Sequence, residues 1–285
     1  MTVLDTQPDL QAGIDYWAKQ PASLDGVLGG FGSGPLPRID ALGSRQFMLG
    51  ILPELCTVPS TLRPPRVEPE PKRRYRALDV GAGIGRVTVD VLLRLVSDVL
   101  LLEPVESFIK EALEQCKNSK LLGTSHNDSG YAVGWPGIAE ESKSVTFVKA
   151  PLQNFDPARP KNNTEILGRV GFTPIEDDTD SGFDIIWCQW CLGHLNDSDL
   201  VNFLRMSKNA LRDSRSLIVI KENLCAERGG GPRAVFDEED SSLTRSDLVF
   251  KRIFKEAGLK VFREKIQRGF PQGLYTVKTY ALRAS

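Results

Sequence analysis

Short apolar runs alternate with amphipathic segments along most of the chain. Apolar residues at three-to-four spacing predict helices, whereas short apolar runs bounded by turn residues predict strands. Helices that alternate with strands imply a parallel sheet covered on both faces. The predicted helices here span about 86–96, 107–116, 198–210 and 246–257, and the seven predicted strands span 77–80, 99–103, 145–149, 183–187, 216–222, 259–266 and 274–282.

The final pair of predicted strands departs from this alternation. Only the segment QRGFPQG, residues 267–273, separates them. Parallel neighbours need a crossover of about a dozen residues, so this pair must be antiparallel. We therefore predict an α/β fold with helices on both faces of a seven-stranded, mostly parallel sheet whose last strand is antiparallel.

Two regions precede the alternating pattern. Residues 1–56 are predicted to be a helical extension, with helices at 9–19 and 44–55 around the glycine-rich turn DGVLGGFGSGP. Residues 57–75 are rich in proline and charge, which predicts an exposed connector. The main domain is then expected to occupy 76–285.

Two polar stretches lie inside the main domain. Residues 118–143 and 157–181 are rich in Gly, Asn, Asp, Ser and Pro. This composition predicts surface insertions with some disorder. We expect the core chemistry to survive them.

The charge of the chain is nearly balanced. Its 36 basic and 37 acidic residues leave a net charge of −1, so no global positive field would attract nucleic acid or anionic lipid. Neither a signal peptide nor an apolar run of membrane-spanning length is present, which favours a cytoplasmic protein. The cluster KRRYR at 72–76 suits a nuclear address, although a solvated linker explains it equally.

The five cysteines do not describe a disulfide framework, because they are odd in number and scattered. Cys188 and Cys191 form one CxxC, and only His126 and His194 are available to complete a metal site. A zinc or redox site is the alternative to buried thiols here. We predict no metal.

A glycine turn follows the first strand. Gly81, Gly83 and Gly85 would let the backbone turn tightly and approach a ligand. A dinucleotide fingerprint needs glycine where this chain has Arg86, which argues against a phosphate. A guanidinium and helix N–H groups suit the carboxylate of S-adenosylmethionine, and Glu103, at the end of the next strand, suits its ribose hydroxyls. Alternatively, the glycines only pack strand against helix and Glu103 is solvated.

Aromatic residues and a histidine follow the fourth predicted strand, in FDIIWCQWCLGHLND at 183–197. The carboxyl ends of strands in open α/β sheets are where ligands meet catalytic groups. Trp187, Trp190 and His194 would crowd that edge. Taken alone, tryptophans are usually core and a single histidine is usually structural.

Several separated motifs together resemble the α-N-methyltransferases, which modify proteins that begin Xaa-Pro-Lys once the initiator methionine is gone. The glycine turn alone would not be specific, but the combination covers nearly the whole chain apart from the connector and the insertions. The motifs are YW at 16–17, LDGVLGGFG at 24–32, ALDVGAGIGRVT at 77–88, DIIWCQWCLGHL at 184–195, IVIKEN at 218–223, DEEDSSLTRSD at 237–247 and LYTVKTYAL at 274–282.

The resemblance implies a class I, Rossmann-like methyltransferase fold with S-adenosylmethionine as cofactor and S-adenosylhomocysteine as product. It implies protein partners with an N-terminal Xaa-Pro-Lys, ribosomal proteins among them. The implied cofactor contacts are Gly81, Gly83, Arg86, Glu103, Leu152, Gln153 and Gln189. The implied substrate contacts are Trp17, Leu28, Gly29, Trp190, Asp237, Ser242 and Tyr275, and the implied catalytic residues are Asp240, His194 and Asn223.

The chemistry of an α-amine fits these residue types. Its pKa of about 7.7 to 8.0 leaves much of it protonated near neutrality, so a proton must be removed before it attacks a methyl group. Asp240 or His194 would accept that proton while Asn223 orients the amine. The acidic run 237–240 would attract a positively charged substrate, and Trp190 with Leu28 would pack against a proline ring.

Some positions depart from the family pattern, and other functions stay open. Glu103, Glu222 and Glu238 stand where relatives often have shorter acids, which keeps charge but alters reach. A methyltransferase for a small molecule would carry the same glycine turn. A non-catalytic interaction protein could also keep this fold.

Overall fold

The computed structural model describes residues 7–56, 73–122 and 134–285. Most of the predicted connector, part of the KRRYR cluster and His126 lie outside these residues. The N-terminal extension contains the helices α1 (Leu10–Ala18), α2 (Leu24–Val27) and α3 (Leu36–Ile51), followed by a short 3-10 turn at Pro53–Leu55. The predicted second helix therefore begins earlier than expected.

The strands and helices of the main domain alternate as the apolar pattern predicts. The helices are α4 (Arg86–Asp90), α5 (Glu106–Leu122), α6 (Asp197–Asn209) and α7 (Asp247–Glu256). The strands are β1 (Arg76–Val80), β2 (Asp98–Leu102), β3 (Ser144–Lys149), β4 (Glu165–Gly171), β5 (Ile185–Gln189), β6 (Leu217–Leu224), β7 (Ala234–Asp237), β8 (Ser242–Arg245), β9 (Leu259–Ile266) and β10 (Thr276–Ala284).

The main sheet has the strand order β4-β3-β2-β1-β5-β6-β10-β9, and β7 pairs with β8 in a separate hairpin. Strands β3, β2, β1, β5 and β6 are parallel to one another. The last strand, β10, lies between β6 and β9 and is antiparallel to both. This arrangement confirms the mostly parallel α/β fold with a reversed last strand.

The sheet has eight strands rather than the predicted seven. The additional strand β4 is antiparallel to β3 and lies inside the segment 157–181, which was predicted to be a surface insertion. Its sequence EILGRVG contains two glycines, and its first two residues are exposed at the sheet edge. Glycine has no side chain to pack and interrupts the apolar run, so the apolar pattern did not reveal this strand.

The other predicted insertion is also partly core. The structure describes its residues 118–122 and 134–143, where Trp135 and Ile138 are buried and Trp135 packs against Phe147 of β3. The expectation of a purely surface segment is wrong for this part, because a tryptophan closes the space beside β3.

Helices cover both faces of the sheet. One face packs against α6 and α7 through residues such as Phe203 and Phe250. The opposite face packs against α3, α4 and α5 through residues such as Met48 and Ile109. Burial on both faces explains why the parallel strands are continuously apolar. Among the described residues, no helix is both long and apolar enough to span a bilayer.

The N-terminal extension is fixed to the main domain at two places. Helix α3 joins the core through Phe47 and Met48. Helix α1 begins at the N-cap Asp9, whose side chain accepts a hydrogen bond from the backbone of Ala12 and whose own backbone N–H donates to Ser241 Oγ at 2.8 Å. The extension therefore lies over the carboxyl ends of the strands.

Candidate active site

A cleft opens at the carboxyl ends of β1, β2, β3 and β5. Its walls are the loops that follow these strands, and α1 and α2 cover it. Every residue that the family resemblance implies for the cofactor lines it, namely Gly81, Gly83, Arg86, Glu103, Leu152, Gln153 and Gln189. The fold thus brings into one cleft residues that are up to 108 positions apart in the chain.

The glycine turn after β1 needs glycine for two separate reasons. Gly81, Gly83 and Gly85 have φ of 62°, 58° and 82°, a region that side chains disfavour. A β-carbon on Gly81 would lie 2.4 Å from Cys191 Cβ, and one on Gly85 would lie 2.5 Å from the Trp135 ring. The turn is therefore packed against its neighbours as well as open to the cleft.

Glu103 stands at the end of β2 and is held by backbone groups. Its Oε2 accepts a hydrogen bond from the Gly83 N–H at 2.7 Å, and its Oε1 accepts one from the Val105 N–H at 2.8 Å. Burial raises the pKa of Glu103 to about 7, although both hydrogen bonds favour its charged form. The carboxylate is thus fixed in place before any ligand arrives.

Arg86 is fixed by a residue that sequence reasoning missed. Its Nη1 donates to Oδ2 of Asp40, on α3, at 2.6 Å, and its guanidinium lies 5.4 Å from the centre of the Trp190 ring. The same Asp40 oxygen accepts from Gln189 Nε2 at 2.9 Å. Gln153 donates to the His194 carbonyl at 3.0 Å.

The chemistry of this cleft fits S-adenosylmethionine. Arg86 offers a cation for the carboxylate of the cofactor, and Glu103 offers an acceptor for ribose hydroxyls. The remaining walls are mainly apolar and suit adenine, through Val27, Val105, Phe108 and Leu152.

A second cavity adjoins the cleft, and we call it the substrate channel. Trp17, Trp190 and His194 line both cavities. The channel is also lined by Leu28, Gly29, Asn223, Asp240, Ser242 and Tyr275. Asp237 does not line it: this residue is exposed at the end of β7, where its Oδ1 accepts from the Glu239 N–H.

Two polar atoms that border the channel lack partners. In the described part of the chain, Trp190 Nε1 and Asp240 Oδ1 are buried without a hydrogen bond. Buried polar groups are nearly always paired, so an unpaired one beside a cavity is a candidate contact for a ligand. Trp187, by contrast, is a core residue whose Nε1 donates to Gln189 Oε1.

His194 is held in its neutral form. The Trp17 indole N–H donates to His194 Nε2 at 3.0 Å, which occupies the lone pair of that nitrogen. Burial lowers the pKa of His194, and the negative charge of Asp240 opposes this. Its Nδ1 faces Gly13 of α1, where an added β-carbon would lie 3.0 Å away.

The loop that carries Trp190 and His194 is fastened at both ends. Trp190 has φ of 55°, which is strained for a side chain of this size. Glu222, buried on β6, accepts from the N–H groups of Cys191 and Leu192 at 3.0 Å each, and burial raises its pKa to about 7.

The far end of this loop is held by Arg245 of β8, which is fully buried. It donates to the carbonyls of Leu192 and Leu195 and pairs with Asp197 at 2.9 Å. The hairpin of β7 and β8, which borders the acidic run, is thereby tied to the turn of His194.

The CxxC has no sign of zinc or redox chemistry. Cys188 and Cys191 are buried, free thiols, and burial raises their pKa values well above the ordinary one. Within 7–56, 73–122 and 134–285, no three His, Cys, Asp or Glu side chains are grouped so as to hold a metal ion.

A sequence model of the family described as AdoMet dependent proline di-methyltransferase matches residues 5–283. The chain belongs to this family. Alpha N-terminal protein methyltransferase 1 of Arabidopsis thaliana is 36% identical over 270 residues, which cover 95% of this chain and 78% of that protein. N-terminal Xaa-Pro-Lys N-methyltransferase 1 of Homo sapiens is 32% identical over 268 residues, 94% of this chain and 92% of that protein. The resemblance drawn from the motifs is therefore confirmed.

Solved structures agree with the proline di-methyltransferase family assignment. A SAM-dependent methyltransferase from Leishmania major, 28% identical, superposes with a TM-score of 0.65 and covers 96% of this chain and 82% of its own. Magnesium protoporphyrin IX methyltransferase from Synechocystis, solved with SAH, gives a TM-score of 0.52 over 97% and 96% of the two chains at 12% identity, and so shares the fold alone. The chain is an S-adenosylmethionine-dependent methyltransferase.

Proposed function

We propose that this enzyme methylates the free α-amine of proteins whose mature sequence begins Xaa-Pro-Lys. The observation that carries the proposal is the unpaired, buried Oδ1 of Asp240, which lines the substrate channel beside the neutral His194, a residue of the wall shared with the cofactor cleft. A substrate amine placed there meets a proton acceptor on one side and the cofactor on the other. The names of the curated relatives support the same substrate class.

Asp240 is the proton acceptor in this proposal. When bound, the cofactor supplies an electrophilic methyl group on a sulfonium. Asp240 accepts a proton from the ammonium form of the amine, and the freed nitrogen lone pair would then form a bond to the methyl carbon as the carbon–sulfur bond breaks. His194 is unsuited to this step because its Nε2 lone pair accepts from Trp17. Asn223, on the channel wall, orients the amine.

The channel also suits the second and third residues of such a substrate, which are proline and lysine. Leu28 and Trp190 provide apolar walls against which a proline ring packs. Asp237, Glu239 and Asp240 act together on Tyr16, whose pKa is raised by burial and then by their charges, so the negative field of the acidic run extends to α1. Such a field attracts a substrate that carries both a terminal ammonium and a lysine.

The decisive experiment uses two peptides that begin Xaa-Pro-Lys, one with a free amine and one acetylated. After incubation with enzyme and S-adenosylmethionine, mass spectrometry should find added methyl groups on the free peptide alone. Equal labelling of the acetylated peptide would exclude the α-amine as nucleophile. Methylation of a metabolite extract without peptide methylation would favour a small-molecule substrate instead.

We further propose a cytoplasmic location with access to the nucleus, and ribosomal proteins among the substrates. The buried cysteines Cys116, Cys188, Cys191 and Cys225 form no disulfide, which supports a reducing compartment. Imaging of a fluorescent fusion tests the location, and N-terminal proteomics of cells that lack the enzyme tests the substrates. Unchanged ribosomal protein N-termini would reject that substrate class.

A further inference from the structure

A buried cluster of charged and amide groups lies behind the cofactor cleft. It joins Asp40 of α3 to Arg86 of α4, Gln189 of β5 and Lys221 of β6. All four are buried, and Asp40 and Lys221 are completely so. Two of them, Arg86 and Gln189, also line the cleft, whereas Asp40 and Lys221 do not. The cluster therefore has a ligand side and a protein side.

Asp40 is the common partner in this cluster. Its Oδ2 accepts from Arg86 Nη1 at 2.6 Å and from Gln189 Nε2 at 2.9 Å, while its Oδ1 lies 2.5 Å from Lys221 Nζ. Lys221 is held in addition by Ser44 Oγ at 3.0 Å and Gln267 Oε1 at 3.1 Å. Removal of Lys221 would thus leave the two bonds on Oδ2 intact.

The charges explain why Asp40 stays ionised. Burial opposes its charge, but Lys221 and Arg86 outweigh burial and lower the pKa of Asp40. One carboxylate between two cations leaves the cluster with a net charge of +1. That surplus charge suits a ligand carboxylate in the cleft.

We propose that Asp40 is a positioning residue for the cofactor: it fixes the guanidinium of Arg86 and the amide of Gln189 on the cleft wall. The opposite face of Arg86 is limited by the Trp190 ring at 5.4 Å. An arginine held on both sides loses little further side-chain entropy when it binds a ligand. The inference depends on cofactor binding alone and not on which amine is methylated.

Charge-matched variants separate orientation from net charge. Lys221→Met keeps the pair of Asp40 with Arg86 and lowers the net charge of the cluster to zero. Asp40→Asn combined with Lys221→Met restores +1, the value of the parent, but replaces the carboxylate that orients Arg86. If charge alone mattered, the double variant would bind S-adenosylhomocysteine like the parent.

Isothermal titration calorimetry with S-adenosylhomocysteine reads out affinity without turnover. We expect Lys221→Met to stay within about 3-fold of the parent and the double variant to bind about 10-fold more weakly, the effect of one charge-assisted hydrogen bond. We also expect KM for S-adenosylmethionine to rise while kcat at saturation is kept. A double variant with parental affinity overturns the proposal.

One further variant tests the position of the carboxylate, and another controls for a general loss of stability. Asp40→Glu keeps every charge but displaces the carboxylate by one methylene, and it should also weaken binding, by about 3-fold or more. Asp247→Asn removes a carboxylate that pairs with Lys278 and Tyr280 outside both cavities. It should lower the unfolding temperature without any change in affinity. Weaker binding by Asp247→Asn would assign the effect to general stability and overturn the proposal.

Discussion

The cofactor cleft and the substrate channel share walls but differ in how their polar groups are satisfied. In the cleft, Glu103 accepts from two backbone N–H groups and Arg86 is held by Asp40. In the channel, Asp240 keeps a buried carboxylate oxygen without a partner in the described structure, and Trp190 Nε1 is likewise unpaired on the wall that both cavities share. The charged groups of the cleft are thus paired before any ligand binds, whereas the channel keeps an unpaired carboxylate oxygen.

This difference indicates how the two sites divide their work. A preorganised cleft favours ligand binding because little conformational freedom is lost on binding. Unpaired groups in the channel raise the free energy of the empty enzyme, and a substrate with complementary groups relieves it. A ligand without a free amine would leave Asp240 unpaired, which is a strong basis for discrimination.

The largest effect is expected from removing one negative charge in the substrate channel, which should reduce turnover but not cofactor affinity. Asp240→Asn should lower kcat for an Xaa-Pro-Lys peptide by about 10²- to 10⁴-fold, the usual loss of a proton acceptor. Its affinity for S-adenosylhomocysteine should stay unchanged, because Asp240 does not line the cleft. Steady-state kinetics and calorimetry check both parts. Parental turnover would reject Asp240 as the proton acceptor.

Glu103→Gln should affect the cofactor cleft rather than the substrate channel. We expect S-adenosylhomocysteine to bind about 10- to 100-fold more weakly, since hydrogen bonds to a charged group are lost. Peptide KM at saturating cofactor should change little. Calorimetry measures the affinity for S-adenosylhomocysteine, and steady-state kinetics with varied peptide concentration measures the peptide KM. An unaltered affinity for S-adenosylhomocysteine would contradict the assignment of Glu103 to the ribose.

The same residue predicts a pH dependence of cofactor binding. The raised pKa of about 7 means that free enzyme below this pH carries protonated Glu103. Ribose hydroxyls that donate to the carboxylate favour its charged form, so binding releases a proton below about pH 7. Affinity should therefore rise as pH increases to about 7 and level off above it. Glu103→Gln should bind with no such rise between pH 5.5 and 7.5, and a rise equal to that of the parent would assign it to another group.

A smaller effect is expected at the shared wall. Trp17→Phe removes the indole N–H that occupies His194 Nε2, so the pKa of His194 should rise from its lowered value. Turnover should fall only about 5-fold, the size of one hydrogen bond. The chain has two histidines, so NMR titration in a His126→Asn background follows His194 alone. An unchanged titration would show that Trp17 does not control this imidazole.

The smallest effect is expected outside the channel. Glu239→Gln removes the same charge as Asp240→Asn from the neighbouring position, where the side chain is exposed. Its turnover should stay within about 2-fold of the parent, because exposed charges contribute little. A loss as large as that of Asp240→Asn would mean that the field of the acidic run, rather than one carboxylate, supports the reaction.

The fold could be predicted wherever a strand is buried on both faces. β1, β2, β3, β5 and β6 appear as apolar runs because helices cover both of their sides. The edge strand β4 could not be found in this way, since its two glycines interrupt the apolar run. Trp135 was missed because it lies in an otherwise polar stretch.

The candidate site was predictable where it is made of local motifs. The glycine turn and Glu103 are recognisable because strand, turn and acid follow each other in the chain. Asp40 and Arg245 were missed because their partners are distant in sequence and a charge on a helix or hairpin is usually solvated. One signal existed for Asp40: it occupies the apolar face of α3 between Leu36 and Ser44, which are also buried.

The crowding between Gly81 and Cys191 has a consequence for engineering. A β-carbon on Gly81 would overlap Cys191 Cβ, so position 81 has no room for a side chain while Cys191 keeps its own. The variant Cys191→Gly would enlarge the cleft beside Gly81. The side chain that it removes carries no charge and takes no part in proton transfer. An enzyme altered in this way is a starting point for cofactor analogues too bulky for the parent.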